Sequence, residues 1–425
     1  LLKNTASDNT AVGCGALICN TTGLRNVALG VNALDANTTA NDNTAVGTSS
    51  LTANTTGDFN TAVGKSALSA NTTGRFNTGL GTLALQNNTT ANNNTAVGYY
   101  ALILNTTGTE NVAVGSAVLD ANTTGSCNTA VGTLALTANT TGCFNTAVGI
   151  CSLLANTTGQ VNTAMGGKTL VCNTTGTCNS TVGYGSLFQN TTGVQNTAIG
   201  SYALNKNTTA DNNTAVGFNS LCANTTGTRN VAVGTSSLAA NTANDNTAVG
   251  YYSLKSNTTA RYNTALGFCS LQANTTGCWN TAVGCGALDA NTTGTYNTAI
   301  GELSLSSNTT GGSNIAVGGF ALLNNTAANN TAVGAASLCA NTTANGNTAV
   351  GMVSMRANTT GGDNAGLGMY SLNKNTTGCN NTASGACALA CNTTASNNTA
   401  VGRCVLFTNT TGTPNTAVGT NALKS

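Results

Sequence analysis

One 17-residue unit is written over and over along the chain, and a repeat this short leaves few ways to fold. The reference copy is Asn60-Thr61-Ala62-Val63-Gly64-Lys65-Ser66-Ala67-Leu68-Ser69-Ala70-Asn71-Thr72-Thr73-Gly74-Arg75-Phe76, and the next copies begin at Asn77, Asn94, Asn111 and Asn128. The copies beginning at Asn230 and Asn314 are one residue short, and the loss falls in the turn, as in Asn241-Thr242-Ala243-Asn244-Asp245. No linker or shift of composition interrupts the pattern, so residues 1–425 read as a single continuous array. Leu1 and Ser425 both fall partway through a copy, which reads as a window on a longer polypeptide.

The copies form an internal alignment. The Gly64 position is always Gly, and the Leu68 position is Leu except for Met355. The Val63 position takes Val, Leu29, Ile199 or Met165, with Ser384 as its polar break. The Lys65 and Ser66 positions take almost anything, including Tyr99-Tyr100, Gly167-Lys168, Glu302-Leu303 and Arg403-Cys404, as solvent-facing sites do. Thr61 to Val63 is a short β-rich run stopped by Gly, and Ser66 to Ala70 is a second run around Leu68. Each copy carries too many Asn, Thr and Gly for a helix. The pattern predicts an all-β fold, a parallel β-solenoid built as a flattened β-roll, with two short strands and two turns per coil.

The Thr61 position is replaced by Val27, Val112, Val231 and Ile315, which keep its shape without its hydroxyl. Thr61, Val63 and Leu68 are therefore expected to form the core ladder. Ala62 and Ala67 stay small in nearly every copy, which implies that both faces of the strand are covered. Two arrangements explain that: close packing of chains, most simply in a parallel homotrimer, or a single-chain solenoid with a tight interior. In the turns, Gly64 ends the strand, and Gly74 of Asn71-Thr72-Thr73-Gly74 is expected at positive φ. Where Ala replaces that Gly, the next residue is usually Asn or Asp (Asn41, Asn92, Asp211, Asn345; Arg261 is the exception), and the left-handed conformation is expected to move onto it. Asn60 and Asn71 recur in every coil, as stacked amide ladders would require.

Several function classes find no support. Thirteen basic and 11 acidic residues give a net charge of +2, and they are scattered singly, so neither nucleic acid nor an anionic membrane is an expected partner. No apolar run approaches the ~18 residues of a membrane span. There is no His, and Asp35, Asp120 and Asp289 share a coil position but lie several coils apart. No enzyme activity, metal or cofactor is expected. Of the 16 Cys, Cys387 and Cys404 occupy the same site on consecutive coils, within disulfide reach, while Cys127 with Cys143 and Cys269 with Cys285 are near misses. Each Asn-Thr-Thr also reads as a glycosylation acceptor, with Asn54, Asn71 and Asn122 as examples, although the turn needs these residues for structure. Regular Thr columns on a flat solenoid raise ice binding as a rival function, against which an interior Thr61 would count.

The run Asn-Thr-Ala-Val-Gly-x-x-Ala-Leu, as in Asn9 to Leu17, Asn128 to Leu136 and Asn280 to Leu288, resembles the repeats of tail-fibre-like surface proteins of phages, bacteria and large DNA viruses. More distantly it is similar to the head repeats of trimeric autotransporter adhesins, left-handed β-rolls wound as trimers. The coil here is longer, and Thr stands where that family favours Val. The resemblance implies a structural fibre or filament shaft, a spacer or adhesin, on a cell or virion surface. Self-assembly as a homotrimer or head-to-tail polymer is the expectation, with a host-surface receptor or glycan as a further partner and exposed Tyr99, Tyr100, Tyr251 and Tyr252 as candidate contacts.

Overall fold

The computed structural model describes residues 5–424; Leu1 and Ser425 lie outside them. The chain divides into two compact units, Leu1–Asn212 and Asn213–Ser425. Every coil contributes one three-residue strand: β1 (Thr10–Val12) to β12 (Thr197–Ile199) in the first unit, β13 (Thr214–Val216) to β25 (Thr416–Val418) in the second. Within each unit a strand pairs in parallel with its counterpart one coil on, in register, as in Thr61↔Thr78, Ala62↔Gly79 and Val63↔Leu80. Identical side chains thus stack in columns about 4.8 Å apart. Each unit is an all-β, parallel β-solenoid.

The second run is not a strand. Residues from Gly64 to Asn71 form consecutive turns, closed by the Ala67 N–H donating to Gly64 O (3.3 Å) and the Asn71 N–H to Leu68 O (3.1 Å). Between those closures the backbone bonds to both neighbouring coils: the Ser66 N–H donates to Thr48 O (2.9 Å) and the Leu68 N–H to Ala84 O (3.0 Å). Such alternation requires left-handed residues, and Ser66 (φ 56°) and Leu68 (φ 51°) supply them. Non-glycine residues pay about 1–2 kcal/mol for that conformation. The penalty is greater for β-branched side chains, yet Val353 and Val161 adopt it at the more exposed left-handed positions, so the Leu68 column, which accepts Met355 but never Val or Ile, is selected by its buried, unbranched-Cβ packing as well. Leu68 is completely buried, and full burial contributes roughly 1.5–3 kcal/mol, enough to offset its own strain.

The interior differs from the sequence expectation in parity. Ala62, not Thr61 or Val63, points inward: Ala62 is fully buried, Thr61 is half-buried and Val63 is 39% exposed. The three-residue strand turns one side chain inward, and the room there is set by Leu68. A Cβ built on Gly79, which holds the Ala62 position of the following coil, would lie 3.4 Å from Leu68 Cδ1. A methyl group or less stands opposite the leucine in every described coil but one, where Thr181 fits by donating its hydroxyl to Thr163 O (3.0 Å). Ala67 is buried on the same side. The smallness of Ala62 and Ala67 is therefore a property of a narrow single-chain interior, and it no longer argues for a second chain against them.

One natural pair tests this packing. Met355 replaces the interior leucine, and the inward residue of the next strand is Gly366 in place of alanine. A Cβ on Gly366 would lie 3.2 Å from Met355 Cε, 2.8 Å from Ser354 Oγ and 3.0 Å from Ser371 Oγ. Ser354 has turned inward to donate to Gly366 O (3.0 Å), whereas Ser50, beside an ordinary Leu and Ala, bonds to Gly47 O (3.0 Å). We expect Gly366→Ala to cost about 1–3 kcal/mol by overpacking, with most of the loss recovered in Met355→Leu/Gly366→Ala. A double-mutant cycle by denaturant unfolding checks it, and additive effects would count against the packing.

Candidate functional site

The face that the strands turn outward carries the chemistry available to a partner. Thr61 and Val63 are its two central columns, because alternation about the inward Ala62 sends both to the same side. The Thr72 hydroxyl donates to Thr89 O (3.1 Å) in the next coil, but the Thr61 hydroxyl makes no such bond and is offered to solvent. Flanking these columns are the variable residues at the Phe76 and Lys65 positions, where the large aromatics collect. Phe59 and Phe76 stack with centroids 5.1 Å apart, and Tyr262, Trp279 and Tyr296 form a three-ring stack at 5.6 and 5.0 Å. On the other flank Tyr251 stacks on Phe268 (5.4 Å) and also on Tyr252 (3.9 Å), while Lys255 Nζ lies 3.9 Å from the Tyr252 ring centroid. In the first unit Tyr99 and Tyr100 pack with centroids 4.1 Å apart. Stacked ring faces are used on each other, leaving mainly edges and apolar flanks to the outside.

The Phe76 column also holds the clearest charge pairs. Arg25 grips Asp42 on the next coil through two hydrogen bonds (2.7 and 2.8 Å), and Arg229 grips Asp245 likewise (2.6 and 3.0 Å). The guanidinium hydrogen bonds hold the Asp42 and Asp245 carboxyls below their ordinary range. These pairs are solvent-exposed and add little stability. Burial pushes the Asp35 and Asp120 carboxyls up. Among the described residues no three His, Cys, Asp or Glu side chains cluster as a metal site would require.

The turn edge is structural. The Asn71 Nδ2 donates to Asn54 Oδ1 (3.0 Å) and to Gly74 O (3.0 Å), and the Asn60 Nδ2 reaches the same Gly74 O (2.8 Å). The Asn77 N–H in turn donates to Asn60 Oδ1 (3.0 Å), so two amide ladders run through the coils. Asn54, Asn71 and Asn122 are fully buried with both amide hydrogens engaged, which leaves no room or free nitrogen for a sugar on the folded coil. The glycosylation reading is thereby corrected.

Gly74 does not adopt positive φ; the left-handed residue is Phe76 (φ 57°), two positions on. Asp42, Asn93, Asn212 and Tyr262 hold that conformation in the Ala-containing turns, so both turn types share one backbone and Arg261 is no exception. The polar residue after Ala has another task. Asn41, Asn92, Asp211 and Asn345 each accept, on Oδ1, the backbone N–H of the preceding coil: Leu24 (2.9 Å), Arg75 (2.7 Å), Val194 (2.7 Å) and Ala328 (2.9 Å). Asp58 and Ser126, which follow Gly, accept the same bond from Asn41 (2.8 Å) and Thr109 (3.0 Å), so a polar residue here serves a coil-to-coil hydrogen bond in either turn type.

Cys387 and Cys404 are free thiols at matching positions of neighbouring coils. Among the described residues no helix is long and apolar enough to cross a membrane. The fold and its outward face define a β-solenoid repeat protein, a class consistent with fibre-like proteins. No protein-family model matches the chain, and no curated protein is similar to it in sequence.

Proposed function

We propose that the chain is a non-catalytic structural shaft, a spacer or adhesin stalk on a cell or virion surface, and that it associates with copies of itself through the outward Thr–Val face. The observation that carries this reading is the outward aliphatic column: Val63, Leu29, Met165, Ile199, Leu266 and Ile300 are exposed, and Val46, Leu80, Val97, Val114, Val131 and Val148 at the same strand position are half-buried. A chain that keeps branched aliphatics on an exposed β-surface coil after coil has a use for them, since monomers rarely display contiguous apolar patches beyond a few hundred Å². Twelve in-register strands in the first unit present such columns over a length sufficient for the ~800 Å² per partner of a standard interface. A net charge of +2 sets up little repulsion between copies. Sedimentation equilibrium over a wide concentration range tests the association. Assemblies larger than the 41.8 kDa chain are expected, and they should weaken when Val97, Val114, Val131 and Val148 are replaced by Asp. A 41.8 kDa particle at every concentration contradicts it.

Ice binding gains one observation: the Thr61 column faces solvent, with unpaired hydroxyls repeating at strand spacing. Measurable thermal hysteresis in the monomeric form would favour that use of the same face; its absence removes it.

A further inference from the structure

We propose that Cys387 and Cys404 are an oxidative cross-linking site that joins two successive coils by a disulfide. This goes beyond the shaft reading and does not depend on it. The two residues lie at the same coil position, each three residues after the end of its strand, β23 (Thr382–Ser384) and β24 (Thr399–Val401). Those strands pair in register, Thr382↔Thr399 to Ser384↔Val401. The register persists past the strand ends, because the Cys404 N–H donates to Ala386 O (2.9 Å), the residue adjoining Cys387. In-register neighbours are about 4.8 Å apart at Cα, inside the usual disulfide range. The Cys404 thiol lies near enough to Cys387 to disfavour its ionisation, and both side chains are partly exposed, so a small oxidant can reach them. Both residues are also left-handed (φ 59° and 55°), so the backbone is equivalent at the two sites.

The other neighbouring cysteines are placed less well. Cys127 and Cys143, and likewise Cys269 and Cys285, lie on adjacent coils but at positions offset by one residue.

The oxidant is a low-molecular-weight disulfide. One thiolate attacks it, forming a mixed disulfide and releasing one small thiol. The second cysteine then attacks the protein sulfur of that mixed disulfide and releases the second small thiol. Two protein thiols are oxidised, one external disulfide is reduced to two thiols, and the protons pass to the departing thiolates. Burial, then the neighbouring thiol, push Cys387 above the ordinary thiol range, which recommends a mildly alkaline exchange buffer.

The test uses the full chain equilibrated with oxidised glutathione under native conditions, alkylated and digested with trypsin. Cleavage after Lys374, Arg403 and Lys424 puts Cys387 in peptide 375–403 and Cys404, as its only cysteine, in peptide 404–424. The two peptides are expected as one reducible species, with fragmentation assigning the link to Cys387. Cys391→Ser should retain the link. Cys387→Ser should lose it and leave Cys404 carrying glutathione; Ser is native at this position in other coils (Ser49, Ser66, Ser236), so the variant keeps a residue the fold already uses. Cys404 found as a free thiol, as a glutathione adduct in the unsubstituted chain, or linked to Cys379 or Cys391 would overturn the proposal.

Discussion

Replacing Asn71 by Asp is expected to cost about 3–5 kcal/mol at neutral pH, although the two side chains have nearly the same shape. The Asn71 amide donates to Asn54 Oδ1 and Gly74 O, both at 3.0 Å, in a fully buried position. A carboxylate has no hydrogen to give either oxygen, so two hydrogen bonds become two repulsions around a buried charge. Gly74 O keeps the Asn60 donor, but Asn54 Oδ1 loses its bond from the next coil. Desolvation and repulsion both disfavour the ionised form, so the folded-state pKa of the new Asp lies above its unfolded value of ~3.9. The sign follows. Below ~3.9 the group is protonated in both states and the charge penalty is absent; as pH rises the unfolded chain ionises first and the deficit grows until the folded pKa is passed. Denaturant unfolding of Asn71→Asp and the parent at pH 4 and pH 7 checks this. A deficit independent of pH would show that the ladder is not buried as described.

Gly64→Ala is expected to be the other severe change, at about 3 kcal/mol or more. Gly64 has φ of 135°, outside what L-residues adopt, and an added Cβ would lie 2.5 Å from Gly81 O and 2.6 Å from Gly81 C. Those atoms are backbone of the next coil, held by the Thr61↔Thr78 register, so the clash is relieved only by breaking the ladder. Gly74→Ala is the control. Its Cβ would also meet close neighbours, Asn71 Oδ1 and Ala91 O, but its φ is not left-handed and Ala40, Ala91 and Ala210 occupy the same position elsewhere. Thermal unfolding of the two variants should separate them clearly; equal losses would mean that crowding alone, without φ, governs the coil.

The contrast also marks what a sequence of this kind makes legible. The repeat length, the parallel solenoid, the indispensable Gly64 and the Asn60 and Asn71 ladders could all be read from recurrence, because identical columns follow directly from in-register stacking. Parity could not. Thr61 with Val or Ile substitutes looks like a core site, and Ala62 looks like a contact with another chain, until the width of the interior is known. That width is set by Leu68 packing against the small inward residue of the strand, a three-dimensional quantity with no one-dimensional signature. The second strand failed for a related reason: the neighbours Ala67 and Leu68 are both buried while Ser66 is not, an order that strand alternation does not give and left-handed turns do. The Met355 and Gly366 exchange was visible in the sequence as two unrelated irregularities; only their contact makes them one event.

Side-chain parity at Ala62 and Val63 is tested most directly by thiol labelling of introduced cysteines. Peptide 26–65 contains no native Cys, so Ala62→Cys or Val63→Cys would be its sole thiol after tryptic digestion. Thr181, buried at the Ala62 position, indicates that a side chain of this size is accommodated there. With a dilute, monomeric sample and iodoacetamide, a cysteine at 63 should label at the rate of an exposed thiol, and one at 62 should resist until the chain unfolds. Protection at 63 with rapid labelling at 62 would contradict the inward alanine and outward valine on which the proposed face depends.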